Sequence, residues 1–160
     1  MRISGQERIK RWARQRRAEL GSDRAFVAAL MEHFRQSGFT YSLAPQSLAS
    51  VNAGGRVDTF FFETKRGYCS HYAIATVTAL RAAGIPAHII VGYTGGEWNA
   101  FGNYYRVRQS DAHAWVEMQL SPGLWQRLDP TQFVPEASGV SPVQTPVSYT
   151  HLTLPTILLV

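Results

Sequence analysis

Three residues of this 160-residue chain could carry nucleophilic chemistry together: Cys69, His113 and Asp129. Cys69 is the single cysteine, set in Gly67-Tyr68-Cys69-Ser70-His71. It follows a glycine turn and heads an alanine-rich apolar run, Ala73 to Ala83, that reads as a helix. A thiol in the first turn of a helix faces unpaired backbone N–H groups and the positive end of the macrodipole. Both favour thiolate, the reactive form. Such a sulfur needs a base that takes its proton and returns it to a leaving group. His113 can be that base, and Asp129 can hold the imidazole in the right tautomer and stabilise imidazolium. The chemistry is acyl transfer: a thiolate attacks a carbonyl carbon, a thioester forms, and His113 protonates the departing amine. The backbone N–H of Cys69 is a candidate oxyanion donor by its helix position. The second donor is not legible in the sequence.

The elements around these residues must bring them together. Two apolar-patterned stretches, His113–Leu120 and Leu124–Leu128, flank the turn Ser121-Pro122-Gly123 and read as a β-hairpin. With Pro122 at the centre of the turn, Trp115 opposes Asp129 and His113 is its diagonal neighbour on the same face. Moving the centre by one residue puts His113 directly opposite Asp129. Same-face cross-strand neighbours lie ~5 Å apart directly and ~7–8 Å diagonally, within reach of an imidazole and a carboxylate. A half-residue slip would send them to opposite faces.

Other residues compete for roles. His71, two positions past Cys69, sits about 200° around a helix and reads as structural. A Cys69/His71/His113 metal site would lack a fourth ligand, and no C-x-x-C pattern is present, so no metal is expected. Neither an EF-hand loop nor an acidic cluster is present, so neither calcium dependence nor a cofactor is expected. Tyr93 and Trp98, beside Gly95-Gly96, either line an acyl groove or are ordinary half-buried aromatics. Asp111 reads as a turn cap.

The composition describes a globular protein: 45% apolar and 17% charged residues, enough length for one domain with a substantial core. The net charge of +5 is local, because eight of the 16 Lys and Arg residues fall in the first 24 positions, while residues 25–160 balance at eight against eight. Residues 5–20 read as a basic helix with Ile9, Trp12, Ala13 and Leu20 near helical spacing. Its positive face could meet nucleic acid or an anionic membrane, but no recognition motif accompanies the charge. A solvated surface helix whose Trp12 packs on the domain is the favoured reading, and no nucleic-acid partner is expected. A lone cysteine excludes an internal disulfide. No run reaches the ~20 apolar residues that cross a bilayer, and no secretory signal is present, so the chain reads as soluble as given.

Ser22 reads as the N-cap of a second helix ended by Gly38, with Phe26, Val27, Leu30 and Phe34 on one face. Phe39–Leu43 reads as a short strand, Ser47–Arg56 as a loop, and Phe60-Phe61-Phe62 as core. Gly84-Ile85-Pro86 stops the cysteine helix and launches a strand, Ala87–Tyr93, whose run Ile89-Ile90-Val91 predicts burial on both faces. Thr94–Gly102 reads as a loop and Tyr104–Gln109 as the next strand. A long helix followed by three or four adjacent strands predicts an α+β fold with an antiparallel sheet. Residues 1–137 read as one domain and 138–160 as linker and tail. The uncharged segment Val147–Val160 resembles translated sequencing-adapter read-through, is taken as non-native and is left out of the fold expectation.

Several blocks together resemble a bacterial transglutaminase-like domain, in particular the periplasmic domain of TgpA-type membrane proteins. They are Gly67–Ala73, Arg81-Ala-Ala-Gly-Ile-Pro86, Val91-Gly-Tyr93, Asp111-Ala-His-Ala-Trp-Val-Glu117 and Leu128-Asp-Pro-Thr131, and the match runs from about Arg8 to Pro135. The resemblance implies a papain-like core with N-terminal helices and a central helix packed on an antiparallel sheet. It places the nucleophile on Cys69, the base on His113 and the third member on Asp129, while Trp115 and Glu117 match the motif that follows the histidine. Tyr93, Trp98 and Trp115 are the expected substrate-binding residues. The activity implied is acyl transfer from glutamine side chains through a thioester, ending in cross-linking or deamidation. Its partners would be a protein or peptide glutamine donor and a primary amine. It also implies a periplasmic location in an inner-membrane parent whose membrane segments this chain lacks. His88 stands where relatives usually carry arginine, and Ser70 where an acidic residue is common. A cysteine peptidase or amidase shares the thioester step, and a binding module with a vestigial triad is the non-enzymatic alternative.

Overall fold

The computed structural model describes residues 6–43 and 55–135. The first two helices follow their local signals. α1 (Glu7–Leu20) ends at Gly21, whose left-handed φ of 72° lets its N–H close on the Arg17 carbonyl. Ser22 then caps α2 (Asp23–Gln36), its hydroxyl accepting the Ala25 N–H at 3.2 Å. α2 buries Phe26, Val27, Leu30, Met31 and Phe34, and α1 buries Ile9 and Ala13. Trp12 packs edge-on against Phe61 and beside Phe26, as the surface-helix reading expects. The cationic face of α1 is largely paired with nearby carboxylates: Arg8 with Glu63, Lys10 with Glu7, Arg16 with Glu19 and Arg17 with Asp23.

A feature with no local sequence signal starts α1. The first free amides of the helix, on Arg8 and Ile9, donate to the carboxylate of buried Asp58 at 3.1 and 2.9 Å. Asp58 belongs to α3 (Gly55–Thr59). The expected loop over Ser47–Arg56 lies mostly outside the described residues, and Gly55 and Arg56 open this helix instead. α3 runs into a π-turn, Phe60–Thr64, closed by the Lys65 N–H on the Phe60 carbonyl at 3.0 Å. Phe60 and Phe61 are buried in the core as expected.

The turn delivers the chain to β2 (Arg66–Gly67), which pairs in parallel with β1 (Thr40–Tyr41). α4 (Cys69–Ala82) follows and is the central helix. Tyr72, Ala73, Ala75, Thr76, Val77, Ala79 and Leu80 are all buried on it, so helices cover one side and the sheet the other.

The main sheet is antiparallel with strand order β3-β6-β7, from β3 (Ala87–Tyr93), β6 (Ala112–Ser121) and β7 (Leu124–Leu128). It is a three-stranded α+β arrangement of the kind expected. Between β3 and β6 stands a separate hairpin, β4 (Glu97–Asn99) with β5 (Tyr104–Arg106). Part of the expected loop is therefore strand, and Tyr104–Arg106 pairs within this hairpin and not with the main sheet.

The expectation for Ile89-Ile90-Val91 is corrected. β3 is an edge strand, Val91 is 77% exposed, and Ile89 is also exposed. The apolar run reflects a partly open face, not the two-sided burial of a parallel interior strand. The readings of residues 138–160 lie outside the described residues. Among the described residues no helix is long and apolar enough to cross a membrane.

Candidate active site

The first turn of α4 is built around Gly67. A Cβ there would lie 2.8 Å from Cβ of His71, so only glycine leaves room for the imidazole to fold back over the helix start. Nδ1 of His71 then accepts the Tyr68 N–H at 3.3 Å, and the ring packs edge-on against Tyr68. His71 is thus a cap of the helix, as the structural reading expects. Cys69, the first residue of α4, is partly accessible and free of any disulfide.

The candidate base, His113, is placed by the sheet. β6 and β7 pair with Val116 opposite Leu128 and Glu117 opposite Arg127, a register centred on Pro122 that is reached through an irregularity between Gln119 and Ser121, since Ser121 itself pairs with Leu124. His113 is then the diagonal neighbour of Asp129, and the gap closes to a hydrogen bond: Nε2 lies 2.7 Å from Oδ2. Both side chains are nearly enclosed, with 14% and 6% of their surface exposed. The carboxylate can only accept, so Nε2 carries the proton and Nδ1 is left as the basic nitrogen. The other oxygen, Oδ1, accepts from the Thr131 N–H at 3.1 Å and the Thr131 hydroxyl at 2.7 Å. The short turn after β7 thereby locks the carboxylate before it meets the imidazole.

Helix and sheet present these groups at one end. Arg81, in the last turn of α4, donates to the Ala87 carbonyl at the start of β3 (2.7 Å), and Ile89 shares a cavity wall with Ile74 and Val77. β3 therefore runs back along α4. Its seven residues span about 23 Å and the 14 of α4 about 21 Å, so the Tyr93 end reaches the Cys69 end. There Gly92 pairs with His113. A second contact ties the parts together. Tyr41, opposite Gly67 in the β1–β2 pairing and beside the Tyr72 ring, lies near enough to Cys69 and Asp129 to feel their charges. Burial, followed by the charge of Cys69, raises the Tyr41 phenol above its ordinary range. No sequence signal marked Tyr41, because the parallel β1–β2 pairing that delivers it leaves no local pattern.

The expected substrate-binding residues separate. Trp115 lies beside His113, its ring over Gly92 and under the Arg127 guanidinium, 4.2 Å from the ring centre. Tyr93 and Trp98 are 58% and 50% exposed toward the β4–β5 hairpin, where Trp98 packs on Tyr105. Asp111 caps its turn through the Arg108 N–H at 2.7 Å. His88 contacts Glu117 at 3.2 Å and Trp125, away from Cys69. A cavity of about 350 Å³ adjoins the start of α4, lined by Val57, Phe60, Tyr68, Ser70, His71 and Ile74. A larger one, about 440 Å³, lies between α1 and α2, on Trp12 and His33. Among the described residues no group of three or more His, Cys, Asp and Glu could hold a metal ion.

Residues 10–130 match the family model of the transglutaminase-like superfamily. The chain belongs to this superfamily. Among transglutaminase-like relatives, it is 45% identical over 135 residues to a protein-glutamine gamma-glutamyltransferase of Pseudomonas aeruginosa, covering 84% of this chain and 20% of that protein. It is 38% identical over 110 residues to YebA, an uncharacterized protein of Bacillus subtilis, covering 66% of this chain and 15% of the relative. The crystal structure of the periplasmic domain of TgpA from Pseudomonas aeruginosa bound to ethylmercury superposes with a TM-score of 0.73 at 42% identity, over 84% of this chain and 47% of that one. A second crystal structure of the same domain gives 0.72 at 41%, over 83% and 45%. This transglutaminase-like chain therefore spans a fifth or less of its curated relatives and under half of the solved domain.

Proposed function

We propose that the chain is a cysteine-dependent acyltransferase acting on glutamine side chains. The observation that carries the reading is the His113–Asp129 hydrogen bond at the Cys69 end of α4. In the proposed cycle Nδ1 of His113 takes the thiol proton, and the sulfur attacks the side-chain carboxamide carbon. The carbon–nitrogen bond then breaks, and His113 returns the proton so that ammonia leaves. The Cys69 thioester is opened by a primary amine, which gives cross-linking, or by water, which gives deamidation. The relative named as a protein-glutamine gamma-glutamyltransferase supports this substrate class. Trp115, beside the imidazole, is assigned to the substrate wall, and Tyr93 and Trp98 to its outer rim. The likeness to a periplasmic domain supports a periplasmic setting.

The test is mass analysis of a glutamine-peptide pool incubated with the protein and a labelled primary amine. The expected products gain the amine and lose ammonia, through a thioester trapped on Cys69. Cys69→Ser and His113→Ala should yield none. Peptides cut in the main chain would replace this reading with a peptidase, and no covalent adduct with any donor would leave a binding module.

A further inference from the structure

Tyr41 lies beside the proposed nucleophile, yet the Cys69–His113–Asp129 chemistry leaves it unused. Its position is built by two independent constraints. β1 lies parallel to β2 with Tyr41 opposite Gly67, two residues ahead of Cys69, and the ladder continues as the Ser42 N–H donates to the Gly67 carbonyl at 2.8 Å. The Tyr41 ring also lies nearly parallel to Tyr72, 16° between planes and 6.4 Å between centres. Tyr72 follows Cys69 by one turn of α4, on the same face, and its own hydroxyl is fastened to the Thr40 carbonyl at 2.8 Å. Backbone pairing and ring contact together aim the phenol at the mouth of α4. There the charge of Cys69 is felt at the phenol.

We propose that Tyr41 is a further catalytic residue, the second donor of an oxyanion site whose first donor is the Cys69 backbone N–H. This rests on the acyl-transfer reading above. When the sulfur attacks, the carbon–sulfur bond forms and the carbonyl π pair moves onto oxygen. That oxygen lies one bond from the carbon now held by Sγ, next to the Cys69 N–H, where the phenol can donate its hydrogen to it. The negative charge then sits between two donors fixed in place before the reaction. Tyr41 donates without giving up its proton. The thiol proton travels only through His113 to the leaving amine. Burial, with the neighbouring charges of Cys69 and Asp129, holds the phenol protonated well above neutral pH, which suits a donor and not an acid.

The experiment compares wild type with Tyr41→Phe in two reactions of the same sulfur. p-Nitrophenyl acetate acylates it through a tetrahedral oxyanion, whereas iodoacetamide alkylates it by displacement at a methylene, with no oxyanion. Single-turnover acylation should fall about 10- to 10³-fold in Tyr41→Phe, while alkylation at its alkaline plateau stays within about threefold. A short peptide aldehyde, which forms a hemithioacetal oxyanion on Cys69, should bind at least about tenfold more weakly. Acylation and alkylation falling in parallel, or neither falling, overturns the assignment. If Tyr41→Phe does not fold, difluorotyrosine at position 41 keeps the ring and makes the phenol more acidic. Acylation should then decline with rising pH as the donor ionises, and an unaltered pH profile overturns the assignment. Failure of the wild-type sulfur to be acylated at all would instead bring down the acyl-transfer reading itself.

Discussion

Asp129 holds His113 with one carboxylate oxygen at 2.7 Å and gives the other to Thr131, through both the N–H and the hydroxyl of that residue. The division has a consequence for mutation. Asp129→Asn can keep the Thr131 contacts through its amide oxygen, but its NH₂ faces Nε2 of His113. The imidazole must then place its proton on Nδ1, the nitrogen needed as base. Acylation of Cys69 should fall by about 10²- to 10⁴-fold with little change in thermal stability. Burst kinetics with an activated ester, beside a melting curve, measures both.

Asp58 accepts the amides of Arg8 and Ile9, and α1 carries Ile9 and Ala13 into the core. Asp58→Ala leaves two helix-start donors without this acceptor and should cost about 2 kcal/mol. The shift in urea midpoint gives the value. An unchanged midpoint would mean that water replaces the carboxylate at no cost.

Burial, then the charges of Lys65 and Arg16, hold the His33 imidazole below the usual histidine range. Its ring stacks on Phe61 at 4.8 Å, Nδ1 meets the Ser37 hydroxyl at 3.0 Å, and Nε2 is buried without a partner among the described residues. The unfolded chain therefore binds this proton more readily than the folded one. The stability contributed is full above the unfolded value of about 6.5 and is lost as pH falls from there toward the depressed folded value. Burial lowers His71 as well, so it adds a dependence of the same sign. Denaturant midpoints measured across that interval should fall with acid in the wild type and fall less in His33→Phe.

Thr76 is fully buried on α4, and its hydroxyl has no partner among the described residues. Thr76→Val exchanges that hydroxyl for a methyl of similar size and removes an uncompensated desolvation. The protein should gain about 1 kcal/mol, visible as a melting temperature several degrees higher.

What the sequence revealed of this fold follows from the range of each signal. Ser22, Gly38 and the Gly84-Ile85-Pro86 stop act within a few residues, so helix limits were legible. Ser121-Pro122-Gly123 marks the hairpin, but the turn pairs Ser121 with Leu124, and an irregularity between Gln119 and Ser121, which has no sequence signal, restores the register that puts His113 and Asp129 on one face. The apolar run at Ile89–Val91 misled because hydrophobicity alone does not say whether a strand is interior or at an edge. Trp98–Asn99 read as loop because a three-residue strand beside two glycines carries almost no periodicity. Tyr41 and Asp58 could not be found at all. Each acts on a residue some 28 to 50 positions away, one through a parallel pairing and the other through a carboxylate reaching across to a helix end.

The four side chains given roles in the proposed chemistry are divided between two bodies. Cys69 and Tyr41 ride on the helical layer, while His113 and Asp129 ride on the sheet, and the tight packing of α4 against β6 is what keeps sulfur and imidazole in step. That seam is also the natural fracture line: a slight parting there would silence the chemistry while each half kept its own hydrogen-bonded scaffold. Turnover should therefore fade at milder heat or denaturant than the far-ultraviolet dichroism does, and small molecules that wedge into the seam would inhibit without ever touching the sulfur.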